Sequence, residues 1–266
     1  MIIIGERINS SRKAIAPAIA ARDSQLITRE ASLQIAAGVS YIDVNCGTLM
    51  EEEPEALEWL VKTVQDATEG NLCSLDSPNP LALERALKVH KGKPIVNSIT
   101  GEHERLAATL PLVRDYKTAI VALVMNDNGM PETAEERLQI ADDLVNELTK
   151  AGVELTDIYL DPMVRPVSTG GHYGRVVFET IQKMNQEFPG IHTICGLSNI
   201  SFGLPARKLM NQTFLIMAMM AGLDSAILDP LDKRLMSLLK AADVLLEQDD
   251  YALKFITAFR EEKLEF

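Results

Sequence analysis

The sequence predicts an α/β protein built as a single TIM (β/α)8 barrel with extra helical sequence at its C-terminus, and three observations predict it. Eight short runs rich in apolar and β-branched residues alternate with stretches of helical periodicity. Crossovers of helix length require successive strands to run parallel, and eight such strands close on themselves. The 266 residues are 47% hydrophobic and 24% charged, enough for one large core, and no linker or low-complexity tract divides residues 1–266 into domains.

The first strand is the unbroken apolar run 1–4, as a strand buried on both faces requires, and Glu6, Arg7, Ile8 and Asn9 follow it. Helical spacing covers 23–38, with Gly38 suited to end the helix. Residues 41–45 form the second strand, after which Glu51, Glu52, Glu53 and Pro54 suit the positive end of a helix reaching Ala67. The run 72–75 leads to Asp76 and a helix over 80–90. The run 94–96 leads to Asn97 and a helix over 102–115. The run 119–124 precedes the turn-forming cluster 126–129, and Thr133 with Glu136 has the spacing of a capping box. Leu138, Ala141, Val145 and Leu148 line one face of the helix that follows. The run 158–160 leads to Asp161, Pro162, a long loop rich in Gly and Ser, and a helix beginning near Tyr173. The seventh strand, 193–195, opens into Gly196–Pro205 and a helix to Ala221. The eighth, 225–228, leads to Asp229, Pro230 and helical sequence through Phe266.

Charge and cysteine usage exclude several functions. Twenty-six Lys and Arg against 38 Asp and Glu give a net charge of -12, which repels a phosphate backbone, so no nucleic-acid partner is expected. No apolar run is long enough to span a bilayer, and the first six residues are too short and too acidic for a signal peptide. The expectation is a cytoplasmic protein with no membrane association. Cys46, Cys73 and Cys195 are far apart and in no Cys-x-x-Cys spacing, so free thiols are expected.

Seven of the eight strands are followed at once by carboxylates or primary amides: Glu6 and Asn9, Asp43 and Asn45, Asp76, Asn97, Asn126, Asp161 and Asn199. Any one of them suits turn or capping chemistry. Together, at the strand ends where barrel loops converge, they form a ring of acceptors and amides around one mouth, with few cations among them. Such a ring fits a flat heterocycle presenting ring N–H and exocyclic amino groups, because one carboxylate accepts two such donors side by side; a pterin or a purine meets that description. There is no G-x-G-x-x-G or G-K-[ST] phosphate cradle, His90, His103, His172 and His192 give no metal-ligand spacing, and Ser198 lacks the G-x-S-x-G elbow. No metal of its own is expected.

Gly5-Glu6-Arg7-Ile8-Asn9, Asp43-Val44-Asn45, Leu75-Asp76-Ser77, Val96-Asn97-Ser98, Asp161-Pro162 and Gly196-Leu197-Ser198-Asn199 closely resemble the methyltetrahydrofolate:corrinoid protein methyltransferases, a family of pterin-binding TIM barrels. Asn211-x-Thr213-Phe214 and Met217-Ala218-Met219 extend the likeness along nearly the whole chain. The resemblance implies a homodimer that moves a methyl group between the ring nitrogen of 5-methyltetrahydrofolate and the cobalt of a cobalamin-type corrinoid carried by a partner corrinoid protein. It also implies that Asp76, Asn97 and Asp161 hold the pterin, that Asn199 is the catalytic hydrogen-bonding group at the methylated nitrogen, and that Arg207 lies near the folate. Glu6, Asp43 and Asn126 join them as ring residues expected to bind substrate. Phe202 stands where the family member that methylates the corrinoid iron-sulfur protein of acetogens has a glutamine, and Ser201-Phe202-Gly203-Leu204-Pro205 is similar to the folate module of methionine synthase.

The chemistry agrees with that resemblance. A methyl group on a tertiary amine is a poor electrophile until the departing nitrogen receives a proton or a hydrogen bond. The nucleophile is reduced cobalt supplied by the partner, so the barrel needs neither a nucleophilic side chain nor a metal. A dihydropteroate-synthase-like enzyme is the alternative pterin barrel, but it needs cations for a pyrophosphate and a Ser-Arg-Lys ending where this chain has Ser198-Asn199-Ile200. The other alternative is a non-catalytic subunit binding folate or the corrinoid protein. Met210, Met217, Met219 and Met220 lie at helical spacing and are expected to pack in the core or in a dimer.

Overall fold

Eight strands pair in parallel and in chain order in the computed structural model, which describes residues 1–68, 70 and 72–266, and β8 returns to β1 to close the barrel. They are β1 Ile2–Asn9, β2 Tyr41–Asn45, β3 Cys73–Asp76, β4 Ile95–Gly101, β5 Ala119–Asn126, β6 Ile158–Asp161, β7 His192–Gly196 and β8 Ser225–Leu228. The helices are α1 Ala16–Ala20, α2 Ser24–Ala36, α3 Glu53–Ala67, α4 Pro80–Val89, α5 His103–Tyr116, α6 Ala134–Lys150, α7 Tyr173–Glu187, α8 Arg207–Ala221, α9 Lys233–Leu245 and α10 Leu253–Arg260.

Local chemistry starts and stops these elements. The Asp23 carboxylate accepts from Leu26 N at 3.1 Å to open α2, and Gly38 beyond its end has φ +91°, which a Cβ disfavours. Asn79 Oδ1 accepts from Leu81 N at 3.0 Å to open α4. The capping box of α6 forms in both directions: Glu136 N donates to Thr133 Oγ1 at 3.2 Å and Thr133 N donates to Glu136 Oε2 at 3.0 Å.

Three boundaries differ from the sequence expectation. β1 continues to Asn9, through a register shift against β2 between Gly5 and Ile8, so Glu6 and Arg7 belong to the strand itself. The short helix α1 intervenes before α2. The C-terminal helical stretch is broken, because the Asp249 side chain accepts from Lys254 N at 3.0 Å and Phe255 N at 2.9 Å and so opens α10 as a separate helix.

The packing decides where a ligand fits. A cluster drawn only from strands, Ile4, Ile95, Ala119, Val121, Tyr159 and Ile194, fills the barrel interior, with Leu123 and Ile227 packed against it. Larger clusters lie between strands and helices. Leu123 and Ile227 also line the cavity above, so the plug of the barrel is the floor of the site. No helix among the described residues is long and apolar enough to cross a membrane, and all three cysteines are buried and free.

Candidate functional site

A cavity of about 780 Å³ opens at the C-terminal mouth of the barrel, within the range that encloses small organic ligands. Glu6, Asp43, Asp76, Asn97, Asp161, Asn199 and Arg207 all line it. No histidine lines it. His90 accepts instead from Cys73 N at 3.1 Å near the α4 end, and His192 stacks on Tyr159 while its Nδ1 lies 2.6 Å from Asp224 Oδ2. Among the described residues no group of three or more His, Cys, Asp or Glu is placed to hold a metal ion.

The deep end of the cavity is a hydrogen-bonded cluster of acids and amides. β3 holds Asp76 in register with Asn45 on one side and Asn97 on the other. Buried Asp43 accepts from Ser74 Oγ at 2.7 Å and from Asn97 Nδ2 at 3.2 Å, which orients the Asn97 amide. Ser77, next to Asp76, donates to Glu53 Oε1 at 2.6 Å, so α3 anchors the turn that carries Asp76. Asp161 is buried at the end of β6 and accepts from Met163 N at 2.7 Å.

Burial holds these acids well above the usual carboxylate range. Asp161 rises to about 7 because desolvation outweighs the hydrogen bond from Met163 N and the charge of Arg137. Asp76 rises to about 6, chiefly by burial, opposed by Asn45 and reinforced by Glu53. Glu6 rises to about 6 by burial, opposed by Arg12. Asp43 is also raised well above its ordinary value, by burial and then by the neighbouring Asp76.

Raised folded values mean that the native state keeps protons the unfolded chain has already lost. Their contribution to stability is therefore fully present below the ordinary values of about 4 and declines as pH climbs through 6 to 7. A heterocycle donating N–H groups to these oxygens favours the ionised forms, so its binding expels protons. Affinity for a folate is expected to rise with pH from 5 and level off above about 7. Calorimetry in buffers of different ionisation enthalpy measures the proton release; affinity independent of pH with no release would contradict these assignments.

At the opposite wall, β7 ends in Gly196, and a 3-10 turn over Leu197–Ser201 presents Asn199. A Cβ at position 196 would come 3.1 Å from Asn199 Nδ2, so glycine there gives the amide its space. The Asn199 side chain makes no hydrogen bond to any described residue. It is a preset donor and acceptor facing the cavity without a partner. Arg207, the first residue of α8, braces the turn: its Nη2 donates to Ser198 O at 2.8 Å and its Nε to Ser201 Oγ at 3.0 Å. Phe202 is 65% exposed, its ring 5.9 Å from the Arg207 guanidinium, and it is not a wall of the cavity.

Two expectations are corrected. Asn126 lies outside the cavity, in a separate depression beside α6, where its Oδ1 accepts from Asn128 N at 3.0 Å. Leu123 is the β5 residue in register with Asp161, so Asn126 is three positions farther along the strand and above the level of the site. The mouth is also richer in cations than the sequence suggested. Arg7 and Arg12 both line it and converge on Asp229 Oδ2 at 3.1 and 3.0 Å, and Arg7 further pairs with Glu30 at 2.8 Å. Asp229, like Arg7 and Arg12, lines the cavity without having been placed there by the sequence reading. Its position directly after the eighth strand was the available signal.

Comparison with known proteins accords with this geometry. The pterin binding enzyme family matches residues 5–229. The chain belongs to the pterin-binding enzymes. Among pterin-binding relatives, a methylcorrinoid:tetrahydrofolate methyltransferase of Eubacterium limosum is 39% identical over 99% of this chain and 98% of its own. A methionine synthase of Mycobacterium tuberculosis is 32% identical over 85% of this chain, which spans 20% of that longer protein. The pterin-binding barrel also superposes on the 7,8-dihydropteroate synthase of Vibrio fischeri ES114 with a TM-score of 0.71, covering 93% of both chains. At 14% identity that likeness speaks for the fold alone.

Proposed function

We propose that this pterin-binding enzyme is a methyltransferase that moves a methyl group between the N5 nitrogen of 5-methyltetrahydrofolate and the cobalt of a corrinoid held by a partner protein. The observation that carries it is the pairing, across one cavity, of a buried acid and amide cluster with the uncommitted amide of Asn199. The 39% identical relative, whose name gives it a methylcorrinoid and tetrahydrofolate, supports the reading along the whole chain.

Asp76, Asn97 and Asp161 hold the pterin by accepting from and donating to its edge, with Asp43 orienting Asn97. Asn199 reaches N5. When the methyl passes from nitrogen to the partner's reduced cobalt, the nitrogen takes up one proton from solution and Asn199 stabilises the charge that builds there; when tetrahydrofolate accepts the methyl, the nitrogen gives up that proton and the same contact orients its lone pair. The corrinoid supplies the methyl-carrying cobalt, and this chain supplies position, the buried acid and amide cluster and the hydrogen bond. Arg207 acts through the turn it braces.

Methyl transfer between 5-methyltetrahydrofolate and reduced cobalamin, followed by the cobalt absorbance bands with purified protein and no added metal, tests the assignment. Turnover above the uncatalysed rate is the expected result, and its absence, with free cobalamin and with corrinoid proteins alike, would end the enzymatic reading. We further propose a homodimer. The α8 face supports it, since Leu209, Met217 and Met220 are 65%, 51% and 74% exposed, a stripe too apolar for a solvated face, while Met219 alone of the four methionines on α8 is buried. Light scattering is expected to give twice the 29.3 kDa chain mass; a monomer at micromolar concentration would contradict it.

A further inference from the structure

The cavity does not end at its rim. A second depression of about 680 Å³ lies at the start of α8 and of α9 and shares Arg207, Lys208, Leu231 and Asp232 with the first. Arg207, Lys208, Lys233 and Arg234 line this shelf against only two carboxylates, Asp232 and Glu265. Asp232 is committed elsewhere: it accepts from Leu235 N at 3.1 Å as the α9 cap and from Gln212 Nε2 at 3.2 Å, with Lys208 Nζ at 3.8 Å. Lys233 and Arg234 are exposed and make no ion pair with any described residue. Neither helix carries an acid in its first turn, and the α8 N-terminus, which no side chain caps, adds its dipole to the positive potential, whereas the Asp232 carboxylate offsets that of α9. On a chain of net charge -12 this is a local reversal of sign, and it begins where the cavity opens.

We propose that this shelf receives the γ-linked glutamate tail of the folate, and that the protein selects folates carrying several glutamates over those carrying one. The inference rests on the pterin assignment above. With the pterin edge at Asp76, Asn97 and Asp161, the aminobenzoyl group points outward past Arg207, which its bonds to Ser198 O and Ser201 Oγ hold at the border between the two depressions. The tail that follows carries one additional carboxylate for each additional glutamate. Four cations with few competing acids match such a chain of anions, and spaced, exposed charges recognise it without demanding a fixed conformation.

Exposed ion pairs are individually weak, so the preference is modest and sensitive to salt. Three glutamates are expected to bind about tenfold tighter than one at low ionic strength, an advantage that fades in about 1 M salt, where the screening length falls to about 3 Å. The experiment titrates 5-methyltetrahydrofolate monoglutamate and triglutamate into wild type and into K233A/R234A, with methyl transfer to reduced cobalamin and to a corrinoid protein measured in parallel. The expected result is that the double variant binds the monoglutamate as wild type does and loses most of its preference for the triglutamate. Equal affinity of wild type for the two folates overturns the tail shelf and leaves the pterin site standing. Failure of both folates to bind wild type removes the pterin assignment and this inference together. A tail preference that survives in the double variant, with transfer to the corrinoid protein alone impaired, gives the shelf to the protein partner and overturns the proposal.

Discussion

Replacing Asn199 by alanine is expected to slow methyl transfer on the order of a hundredfold or more while leaving folate affinity nearly unchanged. Its amide has no partner among the described residues, so removing it leaves nothing else in the protein unsatisfied. Asn199 is exposed and in a turn, so stability is expected to hold, and the loss falls on a contact that strengthens only as charge develops on nitrogen. Neutrality matters as well as position. The amide accepts from a protonated nitrogen or donates to an unprotonated one, whereas the carboxylate of Asn199→Asp would add an acid to a cavity where three already sit near 6 to 7. Single-turnover transfer to reduced cobalamin, beside equilibrium folate binding, separates the two quantities. Wild-type transfer by Asn199→Ala would take Asn199 out of the mechanism.

Opposite signs are expected at the deep end of the cavity. Each of Asp76→Ala, Asn97→Ala and Asp161→Ala leaves ring donors or acceptors unpaired, at about 1 to 3 kcal/mol for each lost partner, so folate dissociation constants are expected to rise roughly ten- to a hundredfold. Asp161→Asn adds a sharper test. Asn keeps an oxygen to accept from Met163 N and removes the cost of ionising a buried acid, so at pH 8 the variant is expected to melt above wild type while binding folate more weakly. The melting advantage shrinks as pH falls below about 7, where wild-type Asp161 holds its proton. Thermal denaturation at pH 5 and 8 with folate titrations measures both effects. Unchanged dissociation constants in all of these variants would remove the acids from pterin binding.

The sequence by itself determined the barrel, because eight apolar runs separated by helix-length stretches leave parallel closure as the arrangement that buries both faces of every strand. It also determined most of the mouth. Asp76, Asn97, Asp161 and Asn199 were legible because chain order alone places a residue at the C-terminal end of its strand, and such ends converge in a barrel. What local sequence does not encode is height and partnership. Asn126 and Asp229 carry the same signature, a turn-forming polar residue after a strand, yet the longer reach of β5 lifts Asn126 out of the site while Asp229 lines it as the anchor of Arg7 and Arg12. The pairing of Asp43 with Asn97, of Ser77 with Glu53 and of Arg7 with Asp229 joins residues 54, 24 and 222 positions apart. Packing of strands and helices brings those groups within hydrogen-bond reach, closure of the barrel in the case of Arg7 and Asp229, and burial around the mouth raises the acids, since desolvation depends on what surrounds a side chain in space and not on its neighbours along the chain.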